Sequence, residues 1–486
     1  MSDAATIIWF RSDLRLADNA ALSAALRCGG PVVAVFVLDE KAAGRWAPGG
    51  ASRWWLHHSL AALAAGIEKL GGRLILRRGA AADELAEIAE AVEADTVVCS
   101  RRYEPWAIRQ EGAVRARLAR DQRELKRYPG WLLMEPESLA TKSGDPYKVY
   151  TPFWRALSST ISPERPLAAP KELPRPAKWP RSETLADWKL LPTKPNWATG
   201  FEPEWQPGEA GALARLDAFL DAGAGDYAER RNRPDIEGTS RLSPHLAHGE
   251  ISPRLIWWRV TCVRESNPGQ DSGLETFLRE LVWREFSSHL LFHFPTLPDA
   301  PFRPEFAAFP WRKSASMLKA WQRGRTGFPI VDAGMRELWS TGWMHNRVRM
   351  VVASFLIKDL LIPWQEGEAW FWDTLVDADL ANNAASWQWV AGSGADAAPY
   401  FRVIKPTSQR EKFDPDGAYV RRWVPQLAKL PDDLIHRPAE AEPMTLRSAG
   451  LSIPRDYPAP MVDHAEAREC ALAAFKALKS GDGKVS

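Results

Sequence analysis

Along the amino-terminal part of the chain, short continuous apolar runs alternate with stretches in which apolar residues recur every three or four positions. TIIWFR (6–11), PVVAVFVLD (31–39), GRLILRRG (72–79) and TVVCSRRY (96–103) are runs of the first kind and predict strands. NAALSAAL (19–26), SRWWLHHSLAALAAGIEKL (52–70) and ADELAEIAEAVEA (82–94) are of the second kind and predict helices. Val/Ile-rich strands separated by helices imply a parallel sheet covered on both faces, a Rossmann-like α/β domain.

From about residue 210 the strand pattern stops. GALARLDAFLDAG (211–223), SPRLIWWRVTCVRE (252–265), LETFLRELVWREFSSHLLFH (274–293), DAGMRELWSTGW (332–343), NRVRMVVASFLIKDLL (346–361) and EARECALAAFKALK (466–479) all repeat at helical spacing. The second domain is therefore expected to be all-α. Between the two, residues 163–207 hold 10 of the 38 prolines, and no helix runs through such a stretch. The predicted division is an α/β domain over 1–135, a long Pro-rich connector over 136–209 draped on the surface, and an α-helical domain over 210–486.

Composition narrows the function classes. No apolar run is long enough to span a membrane, and the start, MSDAATIIWFRSDLR, lacks the pattern of a secretory signal. The four cysteines are far apart with no C-x-x-C pair, which fits a reducing cytoplasm and neither a disulfide framework nor a zinc ribbon. The net charge of +2 announces no nucleic-acid partner, so one would need a local basic patch. The 24 tryptophans are unusual; most are expected as core anchors, with some free for stacking or electron transfer. Neither G-x-G-x-x-G after a strand nor G-x-x-x-x-G-K occurs. His289 and His293 sit one helical turn apart without a third ligand, so a structural role is expected and no metal site.

Four stretches carry candidate chemistry. EGTSRLSPHLAHG (237–249) sets Thr239, Ser240 and Ser243 around Arg241 just before a helix, a phosphate-binding composition as well as an ordinary cap. In FLRELVWREF (277–286), Glu280, Trp283 and Arg284 share a helical face, suiting a flipped base or an exposed ion pair beside a half-buried indole. In GWMHNRVRM (342–350), Asn346, Arg349 and Met350 share another. DADLANNAASWQWV (377–390) packs two aspartates, two asparagines and two tryptophans into one short segment, and offers Asp377 and Asp379 as partners for Arg349.

These stretches together resemble the photolyase/cryptochrome family. The similarity runs from WFRSDLRLADNAAL (9–22) to PYFRVIKPTSQREKFD (399–414) and is densest over 326–364 and 377–402. The resemblance implies an amino-terminal antenna-type domain and a helical domain holding FAD, reduced and anionic when active. It implies that Tyr227, Thr239, Ser240, Arg241, Leu242 and Ser243 meet the FAD phosphates. Arg349 would pair with Asp377 beside the flavin, Asp379 would hydrogen-bond it, and Asn383 would face flavin N5. Trp387, Trp364 and Trp311 match the family's electron-transfer chain.

The implied reaction is light-driven opening of a cyclobutane pyrimidine dimer flipped out of UV-damaged DNA. Glu280, Trp283, Asn346, Met350 and Trp389 would line the lesion pocket. Arg231, Arg284, Arg347, Lys405, Gln409 and Arg410 are candidates around its mouth. A blue-light sensor of the cryptochrome kind, a (6-4) photolyase and a DASH-type protein are the alternatives. Histidines expected of a (6-4) enzyme are absent where Asn346 and Met350 stand. Phrases such as SRRYEPWAIRQEG and DADLANN point to the bacterial class III branch. The class I folate site is not matched, because YEPWAIR replaces its Asn-Glu pair and Pro298-Asp299 its Cys-Lys pair. Methenyltetrahydrofolate bound in another manner is the favoured antenna and a deazaflavin the second choice. A monomer without an obligate protein partner is expected.

Overall fold

The structure, a computed structural model, describes residues 4–161, 164–222, 224–267, 269, 271–396 and 401–480. Five strands, β1 (Ala5–Phe10), β2 (Val32–Leu38), β3 (Leu74–Arg78), β4 (Ala94–Ser100) and β5 (Glu124–Tyr128), form a parallel sheet in the order β3-β2-β1-β4-β5. The period of two divides each central strand between two cores. Ile8 and Phe10 join Leu60 and Ile67 on one face, while Ile7 and Trp9 join Leu85, Ile88 and Val114 on the other. Helices α1 (Ala20–Arg27) and α2 (Gly50–Lys69) cover the first face, and α3 (Ala81–Ala91) and α4 (Pro105–Ala119) the second. The sequence pattern did not reveal β5 or α4. β5 is an edge strand with only Leu125 buried. The buried face of α4 includes Gln110 and Glu111, which hides its apolar stripe.

The connector departs from expectation. It contains a helix, α5 (Tyr150–Thr160), and its Pro-rich part is anchored rather than draped. Leu173, Trp188 and Leu190 are buried in the sheet's core, and Phe201 and Trp205 pack against Trp54 and Trp55 of α2. The prolines prevent a helix, but the large apolar residues between them still leave water.

Beyond the connector come α6 (Glu209–Ala222), α7 (Pro253–Ser266), α8 (Asp271–His293), α9 (Pro329–Thr341), α10 (Asn346–Ser354), α11 (Trp364–Thr374), α12 (Leu380–Ala391) and α13 (His464–Ser480), with shorter turns between them. Among the described residues no strand follows β5. The expected single helix over 346–361 is α10 followed by a π turn, Phe355–Asp359, and it ends where Leu361 takes a positive φ of 54°.

α11 lies directly on α12, and the place of Gly367 between them is set by an indole. A Cβ built on Gly367 would stand 2.1 Å from Trp387. Helix propensity alone favours alanine here by about 1 kcal/mol. The steric conflict outweighs it, so Gly367→Ala should destabilise the protein by about 1–3 kcal/mol. Urea unfolding checks the sign, and a gain in stability would show that Trp387 moves aside without cost.

Candidate active site

A cavity of about 550 Å3 lies within the helical part, walled by α8, α10, α12, the 240–243 loop and the segment 375–379. α12 builds much of one wall. Asp379 caps it, accepting from Asn382 N at 2.8 Å. From there Asn383 and Trp387, four residues apart, are buried on one stripe and both reach the cavity.

The polar groups of this wall are tied in pairs. Arg349 donates Nη2 to Asp377 Oδ2 at 2.7 Å and Nε to the Met344 carbonyl at 2.7 Å. Asp377 Oδ1 is buried with no hydrogen-bond partner among the described residues, although nearly all buried polar atoms have one. Asn383 donates Nδ2 to the Glu368 carbonyl at 3.0 Å. An acceptor at Asp377, an amide at Asn383 and Arg349 between aromatic walls fit a planar heterocycle with ring N–H and carbonyl groups. The lining includes both Tyr227 and Trp389.

The 239–243 loop is divided. Ser240, Leu242 and Ser243 line the cavity, whereas Thr239 and Arg241 do not. Arg241, at a φ of 50°, sends its guanidinium to Glu204 at 3.0 Å and lies 4.5 Å from the Trp205 ring and 4.8 Å from the Trp343 ring. Its positive charge is thus spent on structure. The following helix, Ser243–Ala247, is a single short turn, so the loop's hydroxyls and N–H groups, and not a long helix dipole, would meet phosphates.

The other wall faces outward. Glu280 is paired with Arg231 at 2.5 Å. Trp283 lines the cavity with one face stacked on Tyr150. Asn346, exposed at the start of α10, Met350 and Trp389 complete it. Arg347 lies over Phe413 at 4.7 Å and donates to Asn232. Arg284 also lines the cavity but is buried. Its guanidinium lies against Trp131 at 4.5 Å and pairs with Glu285 at 3.0 Å, while its Nη2 has no hydrogen-bond partner among the described residues. Lys405 and Gln409 stand outside the cavity on a partly exposed turn. The side chain of Arg410 lies outside the described residues. Arg402, exposed and close enough to lower the Arg347 pKa, and Trp343, in the cavity wall with its Nε1 on Ser243 at 3.3 Å, were not singled out by sequence. Both occur in matched stretches, but no periodic pattern marks them.

Trp387 is in the cavity wall, Trp364 is 2% exposed in the same core cluster, and Trp311 is half-buried at that cluster's edge. His289 accepts from Tyr147 N at 3.1 Å, and His293 Nε2 lies 3.3 Å from the Pro136 carbonyl.

A profile of the DNA photolyase family matches residues 6–176, and one of the FAD binding domain of DNA photolyase matches 277–477. The deoxyribodipyrimidine photo-lyase of Agrobacterium fabrum is 54% identical over 99% of each chain. A bacterial class III photolyase structure from Agrobacterium tumefaciens superposes with a TM-score of 0.94 at 53% identity, covering 99% of this chain and 98% of that one. Arabidopsis thaliana cryptochrome-1 is 37% identical over 96% of this chain and 70% of its own.

Behind Asn383, Glu368 is 2% exposed, and burial pushes its carboxyl up to about 8. A raised carboxyl contributes stability that is fully present below its ordinary 4.5 and is lost as the pH climbs through about 8. Lys358, pushed down by burial to about 7, works in the opposite direction at the upper end. The informative quantity is therefore a difference. Relative to Glu368→Gln, the wild type should lose stability steadily between pH 5 and 8 in urea melts, and parallel curves would remove Glu368 as the titrating group.

Proposed function

The chain belongs to the DNA photolyase family, and from that membership we propose that it is a deoxyribodipyrimidine photo-lyase of the class III branch. It would use light to split cyclobutane pyrimidine dimers in DNA. The observation that carries this reading is that one cavity holds both halves of the chemistry: the Arg349–Asp377–Asn383 wall inside, and the Glu280–Trp283–Asn346–Met350 wall towards solvent.

Reduced, anionic FAD bound along the inner wall supplies the light-driven electron. Asp377 Oδ1 would accept from the flavin ring, Arg349 would balance charge beside it, and the Asp379 carboxylate would hydrogen-bond the ring. Asn383 has no acidic proton to give, so the anionic form is favoured at its side. Tyr227, Ser240, Leu242 and Ser243 hold the phosphate end. Trp387, Trp364 and Trp311 form an inward route for an electron, from the edge of the core to the cavity wall.

On the outer wall, Trp283 and Trp389 present aromatic faces to an extruded dimer. Glu280, with its charge steadied by Arg231, accepts from base N–H groups, and Asn346 and Met350 fill the remaining side. Arg231, Arg347, Lys405 and Gln409 would meet phosphates, giving salt-sensitive binding. A light sensor of the cryptochrome kind would need neither Glu280 nor Asn346, and both line the cavity.

A second cavity, of about 150 Å3, opens at the carboxyl ends of β1, β2 and β4, where the strand order reverses. Such switch points are the usual ligand sites of parallel sheets. Trp9, Trp46, Trp106 and Trp372 supply flat apolar faces there, with Asp39 and Gln110 as polar groups. That composition suits the pterin of methenyltetrahydrofolate, with a deazaflavin as the competing antenna. Asp299, which stands where class I relatives have a Cys-Lys pair, is paired with Arg45. No helix among the described residues is long and apolar enough to cross a membrane, and the four cysteines are unpaired.

Two outcomes are expected. Reduced protein mixed with an oligonucleotide carrying one thymine dimer restores thymine absorbance in blue light and not in the dark. No recovery with flavin bound and reduced, followed by recovery on a (6-4) lesion, would transfer the activity to that substrate. Separately, Asn383→Asp shortens the lifetime of the anionic reduced flavin after photoreduction, followed by its absorbance in air. An unchanged lifetime removes the role given to Asn383.

A further inference from the structure

Tyr150 belongs to the connector side of the molecule and does not line the cavity, yet it is built into the lesion wall. Its ring lies on that of Trp283 with centroids 3.7 Å apart and planes 5° from parallel. Phe286 closes the group edge-on, 5.9 Å from each of them. One face of the Trp283 indole is therefore covered, and the other is the face available to a ligand.

The tyrosine ring is held at both ends. Its hydroxyl donates to the Arg279 carbonyl at 2.6 Å, one helical turn before Trp283 on α8. Its backbone N–H donates to Asp396 Oδ2 at 3.0 Å, and Asp396 also lines the cavity. Tyr150 is 9% exposed, and burial followed by the nearby Glu280 charge raises its phenol well above the usual range. It therefore stays neutral and does not disturb the charge of the wall. α5, α8 and the loop after α12 meet at this one side chain.

An unbacked indole in a cavity wall has alternative rotamers, and a ligand must freeze one of them at its own cost. Here the stack and its two anchors hold the plate before any base arrives. We propose that Tyr150 is a positioning residue for damage recognition, holding Trp283 in the orientation that stacks on an extruded pyrimidine dimer. This rests on the repair function proposed above. It assigns to the connector helix a share in lesion selectivity.

The test measures the affinity of the flavin-loaded protein for a duplex with one thymine dimer and for the same duplex undamaged, at fixed salt. Tyr150→Leu removes the flat backing. It should weaken dimer binding about tenfold, the order of one base-stacking contact, and leave undamaged-duplex binding, which depends on phosphate contacts, within about twofold. Tyr150→Phe keeps the stack and loses one hydrogen bond, so it should stay within about threefold of wild type on both. Should Tyr150→Leu fail to retain flavin, Tyr150→His, which keeps a flat ring, replaces it with a smaller selective loss expected. An unchanged preference for the dimer in the leucine variant overturns the proposal. So does an equal fall on both duplexes, which a merely structural role would give. A wild type with no preference for the dimer would sink the repair function and this inference with it, whereas a preference that survives Tyr150→Leu sinks the inference alone.

Discussion

One buried carboxylate, Glu250, joins the two halves of this protein. It is fully shielded from solvent and has two partners: Trp55 Nε1 at 2.9 Å from α2 of the sheet domain, and His245 Nδ1 at 2.5 Å from the turn after the 240–243 loop. Around it, Arg15 donates to the Gly249 carbonyl at 2.9 Å, and Glu209 accepts from Leu16 N and Ala17 N, both at 2.9 Å. Asp18 takes Ser252 and Arg254. A carboxylate buried this deeply is tolerated only when its oxygens are satisfied. The satisfaction comes from both domains at once, so the 240–243 loop of the cavity is positioned by the sheet domain as well as by its own helices.

The cavity inherits that rigidity and adds its own. Arg241 is used up by Glu204, Trp205 and Trp343, and Trp343 in turn touches Ser243. On the deep side, Gly367 lets α11 close on Trp387, and the Glu368 carbonyl fixes the Asn383 amide. On the open side, Arg231 steadies Glu280 and Tyr150 backs Trp283. Several of the groups expected to touch cofactor or lesion are held in place by protein partners, as precise chemistry at a site requires. Asp377 Oδ1, like Arg284 Nη2 and Arg347 Nε in the same cavity lining, is buried without a protein partner among the described residues, and such atoms mark where a ligand belongs.

The tryptophans show how composition alone misleads about location. Trp387 and Trp364 are in one core, and Trp54, Trp55 and Trp205 are in another at the seam between the domains. Both groups look alike in sequence, as indoles within helical or Pro-rich stretches. Only their neighbours separate an indole in the cavity wall from one that seals an interface.

The sequence alone determined the central strands, the long helices and the class of the site. These follow from local periodicity and from motifs whose residues are close along the chain: Asp377, Asp379, Asn383 and Trp387 lie within about three turns of one segment. It did not disclose β5 or α4, whose buried faces are small or polar, nor the anchoring of the connector through Leu173, Trp188 and Phe201. It put Glu280, Trp283 and Arg284 on one face, and all three line the cavity, but spacing on a helix says nothing of what faces them. Tertiary structure decided that Trp131 and Glu285 take Arg284, that Arg231 takes Glu280, and that Tyr150 stands behind Trp283. Those partners are separated by tens to more than a hundred residues in most cases, and only packing brings them within reach.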